Sequence, residues 1–357
     1  MRRNEKQTEL NKDRAIGCLV GGAVGDALGY AVEFEQWPYI RNTYGDRGIT
    51  RYDLSSQGEA LISDDTQMTL FTASGILLGM TRGYMRGIMG RIDTYCHWTY
   101  LDWLHTQEWN LRKPKERSDS WLMDVPELYA RRAPGNTCLS ALKALEHQNE
   151  PKNNSCGCGG VMRTAPLAIL DYIHGYANGE YEYCDMVAAE AARITHKHPL
   201  GFLPSAVLND ILMQIFDGSV NRTRELWTAV ENAIDRLPSI VSEEDGYKTY
   251  GELWPEEVHK LDKILRRALQ MTASGFPDHI AIEKLGGGWT GHEALAIAIY
   301  SAVKYYHSFE NAIVCSVNHS GDSDSTGAIC GNIMGAIHGR KVIPEYYTKD
   351  LELIDVI

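Results

Sequence analysis

The sequence predicts an all-α protein. Most of the 357-residue chain carries apolar residues at spacings of three and four, and runs of alternating β-branched residues are scarce. The segments with this helical period are residues 66–80, 138–149, 185–195, 204–217, 261–274 and 292–307. No long Gly/Ser-rich or Pro-rich linker separates them, so we expect a single domain.

The start of the chain contains the first glycine stripe. Residues 1–13 are polar and charged, and we expect a polar tail ahead of a domain that spans residues 14–357. A helix of small and apolar residues is predicted from Arg14 to Phe34, with one helical face formed by Gly17, Gly21, Gly25 and Gly29. Each glycine inside a helix costs about 0.5–1 kcal/mol relative to alanine, so the stripe indicates a close approach to a partner.

A second stripe near the end of the chain has the same spacing. It consists of Gly327, Gly331, Gly335 and Gly339. We therefore expect the two glycine-faced helices to pack against each other at the centre of the molecule. Direct contact between the two stripes is a hypothesis at this stage.

Two acidic clusters lie at opposite ends of the chain, each just before a helical stretch. They are Ser63-Asp64-Asp65-Thr66 and Asp322-Ser323-Asp324-Ser325-Thr326. Magnesium prefers carboxylate, hydroxyl and water oxygens. Two such ions held about 3.5–4 Å apart need several carboxylates from different segments. The clusters therefore indicate the two halves of one metal site.

Two other interpretations of these clusters are open. Asp64 with Gln67 fits a helix capping box, and Asp322 or Asp324 is placed to cap the following helix. One cap per helix suffices, however, and a second carboxylate beside it is unfavourable without a cation. Asp322-x-Asp324-x-Thr326 also matches the D-x-D-x-T signature of haloacid-dehalogenase-type phosphatases, but the surroundings here are helical rather than α/β.

Composition narrows the class of protein. The formal net charge of −12 argues against nucleic-acid binding, because phosphate contacts need a basic surface. No apolar run at the start and no stretch of about 18 apolar residues lead us to expect a cytoplasmic protein without a membrane segment. The eight cysteines form one C-x-C and no regular framework, so a disulfide scaffold or a zinc site is not expected. Residues 239–257 are polar and aromatic and are predicted to form a surface excursion.

An ordered set of motifs carries a resemblance to a known family. The motifs are Gly25-Asp26-Ala27-Leu28-Gly29 with Glu33-Phe34, Ser63 to Thr66, Gly157 to Pro166 (GCGGVMRTAP), Thr195-His196, Gly288-Trp289 with Glu293-Ala294-Leu295, and Gly321 to Gly327. With this set, over roughly residues 14–340, the chain resembles the ADP-ribosylglycohydrolase family. That family includes the hydrolase that reactivates nitrogenase reductase and the ADP-ribosyl-acceptor hydrolases.

The resemblance implies a fold, a cofactor and a reaction. The fold is a compact, orthogonal helical bundle with a cleft for two magnesium ions. The reaction is hydrolysis that removes ADP-ribose from a modified protein side chain, with arginine favoured over serine. The implied metal ligands are Ser63, Asp64, Asp65, Asp322, Asp324 and Ser325. Relatives often carry threonine at the hydroxyl positions, so Thr66 and Thr326 compete for the two serine roles.

The resemblance also implies catalytic and substrate-binding residues. Glu33 matches a glutamate that, in the serine-linkage branch of the family, lies on a mobile loop over the site; a solvated residue at a helix end is the alternative. Glu33, Asp65 and Asp324 are the catalytic candidates. The substrate-binding candidates are Asn136, Gly157, Gly159, Gly160, Arg163, His196, Gly288 and Trp289. Arg163 is equally able to pair with an acid of the core, and His196 and Trp289 to be interior residues.

The implied partner is an ADP-ribosylated protein. An alternative from another class is a binding protein that neutralises an ADP-ribosyltransferase toxin by occluding it, with or without hydrolysis. Retention of both acidic clusters favours hydrolysis, because binding alone does not need both.

Overall fold

The computed structural model describes residues 2–88, 90–108, 118–174 and 181–357. Within these ranges the α-helices are α1 (Arg2–Tyr30), α2 (Trp37–Tyr44), α3 (Asp64–Arg86), α4 (Ile92–Glu108), α5 (Asn136–Glu146), α6 (Ala165–His174), α7 (Tyr181–Arg193), α8 (Pro199–Phe216), α9 (Thr223–Arg236), α10 (Tyr250–Leu253), α11 (Pro255–Met271), α12 (Asp278–Glu283), α13 (Gly291–Lys304), α14 (Phe309–Val317), α15 (Ser323–His338) and α16 (Glu345–Thr348). Short 3₁₀ turns occupy Trp121–Asp124, Pro126–Tyr129, Cys158–Arg163, Leu237–Ser239 and Arg340–Val342. The all-α prediction is confirmed.

The described ranges contain one small sheet. Strands β1 (Val241–Ser242) and β2 (Lys248–Thr249) pair antiparallel, with Val241 opposite Thr249. They belong to the segment predicted to be a surface excursion, which Ile240 and Tyr250 anchor through their buried side chains. The described residues therefore do not form an α/β phosphatase fold, which is built around a parallel sheet.

Helix α1 differs from its predicted bounds at both ends. It begins at Arg2 rather than Arg14, because residues 2–13 are rich in good helix formers such as Glu, Lys, Gln and Arg. It ends at Tyr30, and residues 31–34 form turns that take Glu33 and Phe34 out of the helix. The chain therefore leaves α1 just where the first motif ends.

Helix α8 forms the centre of the larger hydrophobic core. Pro199 occupies its first turn, and His198 caps it by accepting a hydrogen bond from the Leu200 backbone N–H at 3.0 Å. Its length and hydropathy would suffice to cross a membrane, but 94% of that window is buried inside the protein, as in the core helix of a soluble fold. We therefore treat α8 as a core helix.

Helices α1 and α15 pack with their glycine stripes in direct contact. A Cβ atom on Gly21 would overlap the carbonyl oxygen of Gly331, and a Cβ atom on Gly331 would overlap that of Gly21. Gly17 faces Gly335 in the same way and Gly25 faces Gly327, so the two helices run antiparallel. The predicted contact between the stripes is confirmed, and it places the start of α15 beside the end of α1.

The packing predicts the outcome of adding one methyl group at the contact. Gly331→Ala gains about 1 kcal/mol of helix propensity. It also forces two backbones apart, and overpacking of this kind costs about 1–3 kcal/mol, so we expect a net loss in the free energy of unfolding. Urea denaturation followed by circular dichroism measures it.

The matched control is Gly135→Ala. Gly135 is the N-cap of α5 with φ −58°, and the nearest atom to a Cβ there is Cys138 Sγ at 4.0 Å, so alanine fits sterically and costs only its weaker preference for the N-cap position. Equal urea midpoints for Gly331→Ala and the unmodified protein would show that α1 and α15 have room to separate.

Candidate functional site

The two acidic clusters meet at the start of two helices. Helix α3 begins at Asp64 and α15 at Ser323, so each cluster occupies a helix N-terminus. The Ser325 hydroxyl donates to Asp65 Oδ1 at 3.4 Å, and the Ser63 side chain lies near enough to Asp324 to lower the pKa of that carboxyl, which burial raises overall. Segments about 260 residues apart in sequence therefore form one site.

Ser63 and Asp322 are the helix caps. Ser63 Oγ accepts from the Asp65 backbone N–H at 3.1 Å, and Asp322 Oδ1 accepts from the Ser325 N–H at 3.2 Å. The capping box between Asp64 and Gln67 is not formed, because Ser63 already caps α3. Asp64 instead accepts from the Gly135 N–H at 3.2 Å, and Gln67 Oε1 accepts from Trp103. The carboxylates of α3 are thus not needed as its caps.

Asp26 of α1 holds the first acidic cluster through hydrogen bonds. Its fully buried carboxylate accepts from the backbone N–H groups of Ser63 and Thr66, both at 3.0 Å, and from the Thr66 hydroxyl. Sequence reasoning gave Asp26 no role. The available signal was that Asp26 is the one charged residue between Gly17 and Gly29, since a buried charge is costly without dedicated partners.

A cavity of about 560 Å³ opens beside the joined clusters. Its lining includes Glu33, Phe34, Asp64, Asp65, Arg131, Pro134, Asn136, Thr137, Cys138, Gly157, Cys158, Gly159, Met162, His196, Trp289, Asp322, Asp324 and Ser325. Five of these side chains are carboxylic acids, and Arg131 is the one arginine or lysine among them. The cavity is therefore strongly acidic on one side.

A larger cavity of about 700 Å³ lies elsewhere, between α2, α12 and α14. It contains Trp37, Arg41 and His279 and none of the residues that the sequence motifs single out. Volume alone would have selected this cavity. The concentration of acids and motif residues favours the smaller one as the functional site.

The carboxyl groups of the site raise one another's pKa. Burial raises the pKa of Asp26 to about 7 and that of Glu33 to about 10, and in both the charge of Asp324 is the next cause. Burial and then Asp324 also raise the pKa of Asp64 and Asp65. Their common origin is negative charge gathered in a buried place. A cation placed among these groups would relieve it.

The donor set fits a hard divalent cation. Asp65 Oδ2 and Glu33 Oε2 are buried oxygens without a hydrogen-bond partner, and oxygen donors of this kind suit magnesium. In this conformation, no three His, Cys, Asp or Glu side chains of the described ranges are arranged closely enough to hold an ion. The dinuclear site stays a prediction that requires the carboxylates to turn towards a cation.

The structure distinguishes the competing hydroxyl groups. Thr66 donates its hydroxyl proton to Asp26, and the Thr326 hydroxyl lies 2.8 Å from the backbone carbonyl of Ser316. Both threonines serve the fold. Ser325 lines the cavity, and Ser63 lies behind it as the cap of α3, so the serines are better placed for the predicted roles.

The glycine-rich segment forms the opposite wall. Gly157 pairs with Thr290 in a β-bridge, and the Cys158 N–H donates to the Trp289 carbonyl at 3.2 Å. Cβ atoms on Gly157 and Gly159 would lie 3.2 Å from Nε2 and 3.0 Å from Cε1 of His196. A side chain at either position would thus crowd the imidazole ring where the segment passes over it, and backbone N–H groups of such a segment suit phosphate oxygens.

The predicted substrate-binding residues divide into two groups. Those that line the cavity are Asn136, Gly157, Gly159, His196 and Trp289. Those outside the lining are Gly160, Arg163 and Gly288. Gly160 packs against the Gly201 carbonyl, and Gly288, at φ +80°, packs under the Asp322 backbone. These two glycines position neighbouring elements.

Arg163 differs from both predicted alternatives. It is fully buried behind the cavity wall, so it does not reach the cavity. It donates to Thr195 Oγ1 at 2.7 Å and to the Ala191 carbonyl at 3.3 Å, and its guanidinium lies 4.4 Å from the centre of the Tyr100 ring. Among the ion pairs of the described residues, none involves Arg163. Its charge is held by neutral groups.

Two aromatic rings meet at the edge of the cavity. Phe34 and Trp289 stack with centroids 5.8 Å apart and an interplanar angle of 22°. Phe34 is 67% exposed and Trp289 is 45% exposed, so Trp289 is not a core residue. The pair connects the loop that contains Glu33 with the loop that precedes α13.

Cys158 also contacts the acidic clusters. Its thiol donates to Asp322 Oδ2 at 2.7 Å. Sequence reasoning treated the C-x-C as incidental, because spacing alone does not reveal a partner 164 residues away. Cys158 thus joins the glycine-rich segment to the second cluster.

Comparison with known proteins finds relatives that are named as hydrolases. The ADP-ribosylhydrolase ARH1 of Dictyostelium discoideum is 23% identical, with 98% of this chain and 92% of the relative covered. The ADP-ribosyl-(dinitrogen reductase) glycohydrolase of Rhodospirillum rubrum is 24% identical, with 96% and 91% covered. A solved structure described as an ADP-ribosylglycohydrolase-related protein complex shares the fold, with a TM-score of 0.62, 21% identity, and 98% and 95% covered.

The family model agrees with these relatives. The model described as ADP-ribosylglycohydrolase matches residues 7–357, which include both acidic clusters, the glycine-rich segment and the aromatic pair. The chain therefore belongs to the ADP-ribosylglycohydrolase family.

Proposed function

We propose that this protein is a magnesium-dependent hydrolase that removes ADP-ribose from modified arginine side chains of proteins, in preference to serine. Removal of ADP-ribose from modified proteins follows from the family and its named relatives. Magnesium and the arginine linkage are the finer part of the proposal. The observation that carries it is the single cavity in which both acidic clusters meet opposite a glycine-rich wall.

The acidic wall is assigned to the cation. Asp64, Asp65, Asp322 and Asp324 would hold it through carboxylate oxygens, and Ser325 through its hydroxyl. When bound, magnesium supplies positive charge that polarises ribose hydroxyls and acidifies a water molecule. The unpartnered Asp65 Oδ2 and the mutual pKa elevation support this assignment.

The glycine-rich wall is assigned to the ADP-ribose moiety. The N–H groups of Gly157 and Cys158 already donate to Ser155 Oγ and to the Trp289 carbonyl, so the Gly159 N–H is the donor of this segment that suits a diphosphate oxygen. The exposed face of Trp289 suits the adenine ring or a ribose. This arrangement would point the terminal ribose towards Asp65 and Asp324. The bond to be broken would then lie beside Glu33.

Glu33 is assigned the role of general base for the attacking water. Its Oε2 atom is buried and has no hydrogen-bond partner, and a cation beside it would lower its raised pKa, so that Glu33 could orient the attacking water and take a proton from it. The surrounding carboxylates stabilise the positive character that develops at C1 of the ribose when the glycosidic bond breaks.

The acidity of the cavity supports arginine as the acceptor residue. Arginine modified by ADP-ribose keeps a cationic guanidinium group, which departs as guanidine, and Glu33 is the lining carboxyl group that is not assigned to the cation and could face it. Guanidine also needs little acid assistance to leave, whereas a serine ether needs more. The alternative of an occluding toxin binder is not favoured, because the relatives described above are named as hydrolases.

The first prediction concerns release of ADP-ribose. We expect magnesium-dependent release from arginine-modified protein, slower release from serine-modified protein, and loss of release in EDTA. Asp322→Asn keeps a good N-cap for α15 and removes the charge, so we expect activity to fall roughly 100-fold or more with the fold intact. Chromatographic detection of free ADP-ribose measures the rate.

Asp235→Asn is the control for that experiment. Asp235 is an exposed acid of α9 outside the cavity, so this variant should keep full activity. Release that persists in EDTA would contradict the cation, and faster release from modified serine would contradict the assigned linkage.

The second prediction concerns thermal stability. Because the charge of Asp324 raises the pKa of Asp26, Glu33, Asp64 and Asp65, we expect Asp324→Asn to raise the melting temperature in EDTA. Magnesium should stabilise the unmodified protein by about 2.7 kcal/mol at 100 times its Kd, and Asp324→Asn much less. Differential scanning fluorimetry tests both effects, with Asp235→Asn as reference.

If Asp324→Asn melts at a lower temperature than the unmodified protein, with both in EDTA, the carboxylates do not repel one another in the folded protein. An equal response of both proteins to magnesium would exclude Asp324 as a ligand.

The third prediction concerns the aromatic pair. Trp289→Ala removes a stacking face worth about 1–3 kcal/mol for a base, so we expect KM to rise about tenfold and kcat to change less. Trp289→Phe should retain most of the affinity. Steady-state kinetics on arginine-modified protein measures both constants, and exposed Trp121→Ala is the control. An unchanged KM in Trp289→Ala would remove Trp289 from the substrate site.

A further inference from the structure

A chain of hydrogen bonds runs behind the cavity wall and ends at His196. Arg163 donates to Thr195 Oγ1 at 2.7 Å, and Thr195 Oγ1 lies 2.9 Å from His196 Nδ1. All three side chains are at least 98% buried, while His196 also lines the cavity. The fully buried guanidinium of Arg163 is thus connected to the cavity through the hydroxyl group of Thr195.

The position of the Thr195 proton determines which nitrogen of His196 carries a hydrogen. Arg163 can only donate, so it occupies one lone pair of Thr195 Oγ1. A guanidinium that donates to a hydroxyl polarises the O–H bond, which makes that hydroxyl a better donor and a poorer second acceptor. The Thr195 hydroxyl is therefore set to donate its proton onward.

The acceptors around that proton are unequal. His196 Nδ1 lies 2.9 Å away, whereas the Ala192 carbonyl lies 3.5 Å away, at the limit for a hydrogen bond. The Cys138 thiol is also near the hydroxyl, but sulfur is a weak acceptor. The short contact to Nδ1 is the best destination for the proton.

His319 in the same protein illustrates the opposite case. Its Nε2 atom lies 3.0 Å from the Thr326 hydroxyl, which itself lies 2.8 Å from two backbone carbonyls, those of Ser316 and Asp322. Thr326 therefore gives its proton to a carbonyl and accepts from the imidazole. Thr195 has no carbonyl at that distance and has an arginine donating to it, so its role is reversed.

We propose that Arg163 and Thr195 are positioning residues that hold His196 in the tautomer with Nδ1 unprotonated and the Nε2–H bond available to an oxygen atom of bound ADP-ribose. The proposal rests on the proposed function for the identity of that ligand. Nε2 is the atom next to Gly157, where the glycine-rich segment passes over the ring. A neutral N–H donor there complements the backbone N–H groups of the segment.

The charge state of His196 is consistent with this tautomer. Burial, and next the charge of Arg163, lower the pKa of His196 to about 3, so the ring is neutral at neutral pH. A neutral imidazole carries one hydrogen, and hydrogen bonding at one nitrogen selects where it is. Arg163 thus keeps the ring neutral and, through Thr195, selects its tautomer.

The first test is the tautomer itself. Long-range ¹H–¹⁵N correlation spectra of the full-length protein, labelled at histidine, distinguish protonated from unprotonated ring nitrogens at neutral pH. The signals of His196 are identified among the twelve histidines by their loss in His196→Gln. We expect unprotonated Nδ1 and protonated Nε2 in the ligand-free protein. A protonated Nδ1 in the unmodified protein would overturn the proposal.

The second test changes the hydroxyl. Thr195→Val keeps the shape of the side chain and removes its proton, so His196 should lose its fixed tautomer and Kd for free ADP-ribose should rise about tenfold. Thr195→Ser keeps a hydroxyl group, so it should keep both the fixed tautomer of His196 and the affinity for ADP-ribose. In kinetics we expect Thr195→Val to raise KM and to change kcat little. Isothermal titration calorimetry measures the Kd values.

The outcomes separate this proposal from the proposed function. If Thr195→Val keeps both the tautomer and the affinity of the parent, the positioning role is overturned. If the parent has the expected tautomer and binds no ADP-ribose, the proposed function fails, and the role given to the Nε2–H bond fails with it. Release of ADP-ribose with unchanged affinity in Thr195→Val would overturn the positioning role alone.

Discussion

The contact between α1 and α15 is the constraint on which the site depends. Glycines on both helices let two backbones approach until no Cβ atom fits between them. Near its end α1 then carries Gly29 against Ser323, which fixes the start of α15, and Asp26 against Ser63 and Thr66, which fixes the start of α3. One helix thus holds both acidic clusters, and a small shift of α1 would separate them.

This arrangement concentrates charge that the fold alone does not neutralise. Two helix N-termini offer some compensation, because N–H groups such as that of Ser325 donate to carboxylate oxygens. Burial and the remaining repulsion raise the pKa of Asp65, and its Oδ2 atom has no hydrogen-bond partner. A site of this kind is poised for a cation because binding relieves an existing cost. Without a cation the carboxylates would move apart to relieve their repulsion, but the rigid contact between α1 and α15 prevents this.

Sequence reasoning succeeded where the signal was local or periodic. The four-residue spacing of Gly21 and its neighbours predicted the helix contact, and the paired acids around Asp64 predicted the place where the clusters meet. It did not identify Asp26, because the partners of that carboxylate lie 37 to 40 residues away. Nor did it place Arg163, since the 3₁₀ turn Cys158–Arg163 points Gly159 at the cavity and Arg163 at the core. A motif gives the residue, whereas the turn decides the direction of its side chain.

The burial of Arg163 has a physical reason that also explains its neutral surroundings. A carboxylate partner would cancel the charge and leave Thr195 unpolarised, and a second buried ion would bring its own desolvation cost. The Tyr100 ring and the Ala191 carbonyl instead stabilise the guanidinium without neutralising it. A positive charge thus remains behind the wall that faces the diphosphate in the proposed complex, while the negative charges remain on the wall that faces the ribose. The cavity is therefore polarised along its length, and in the proposed complex that polarity would orient the ADP-ribose group before any bond is broken.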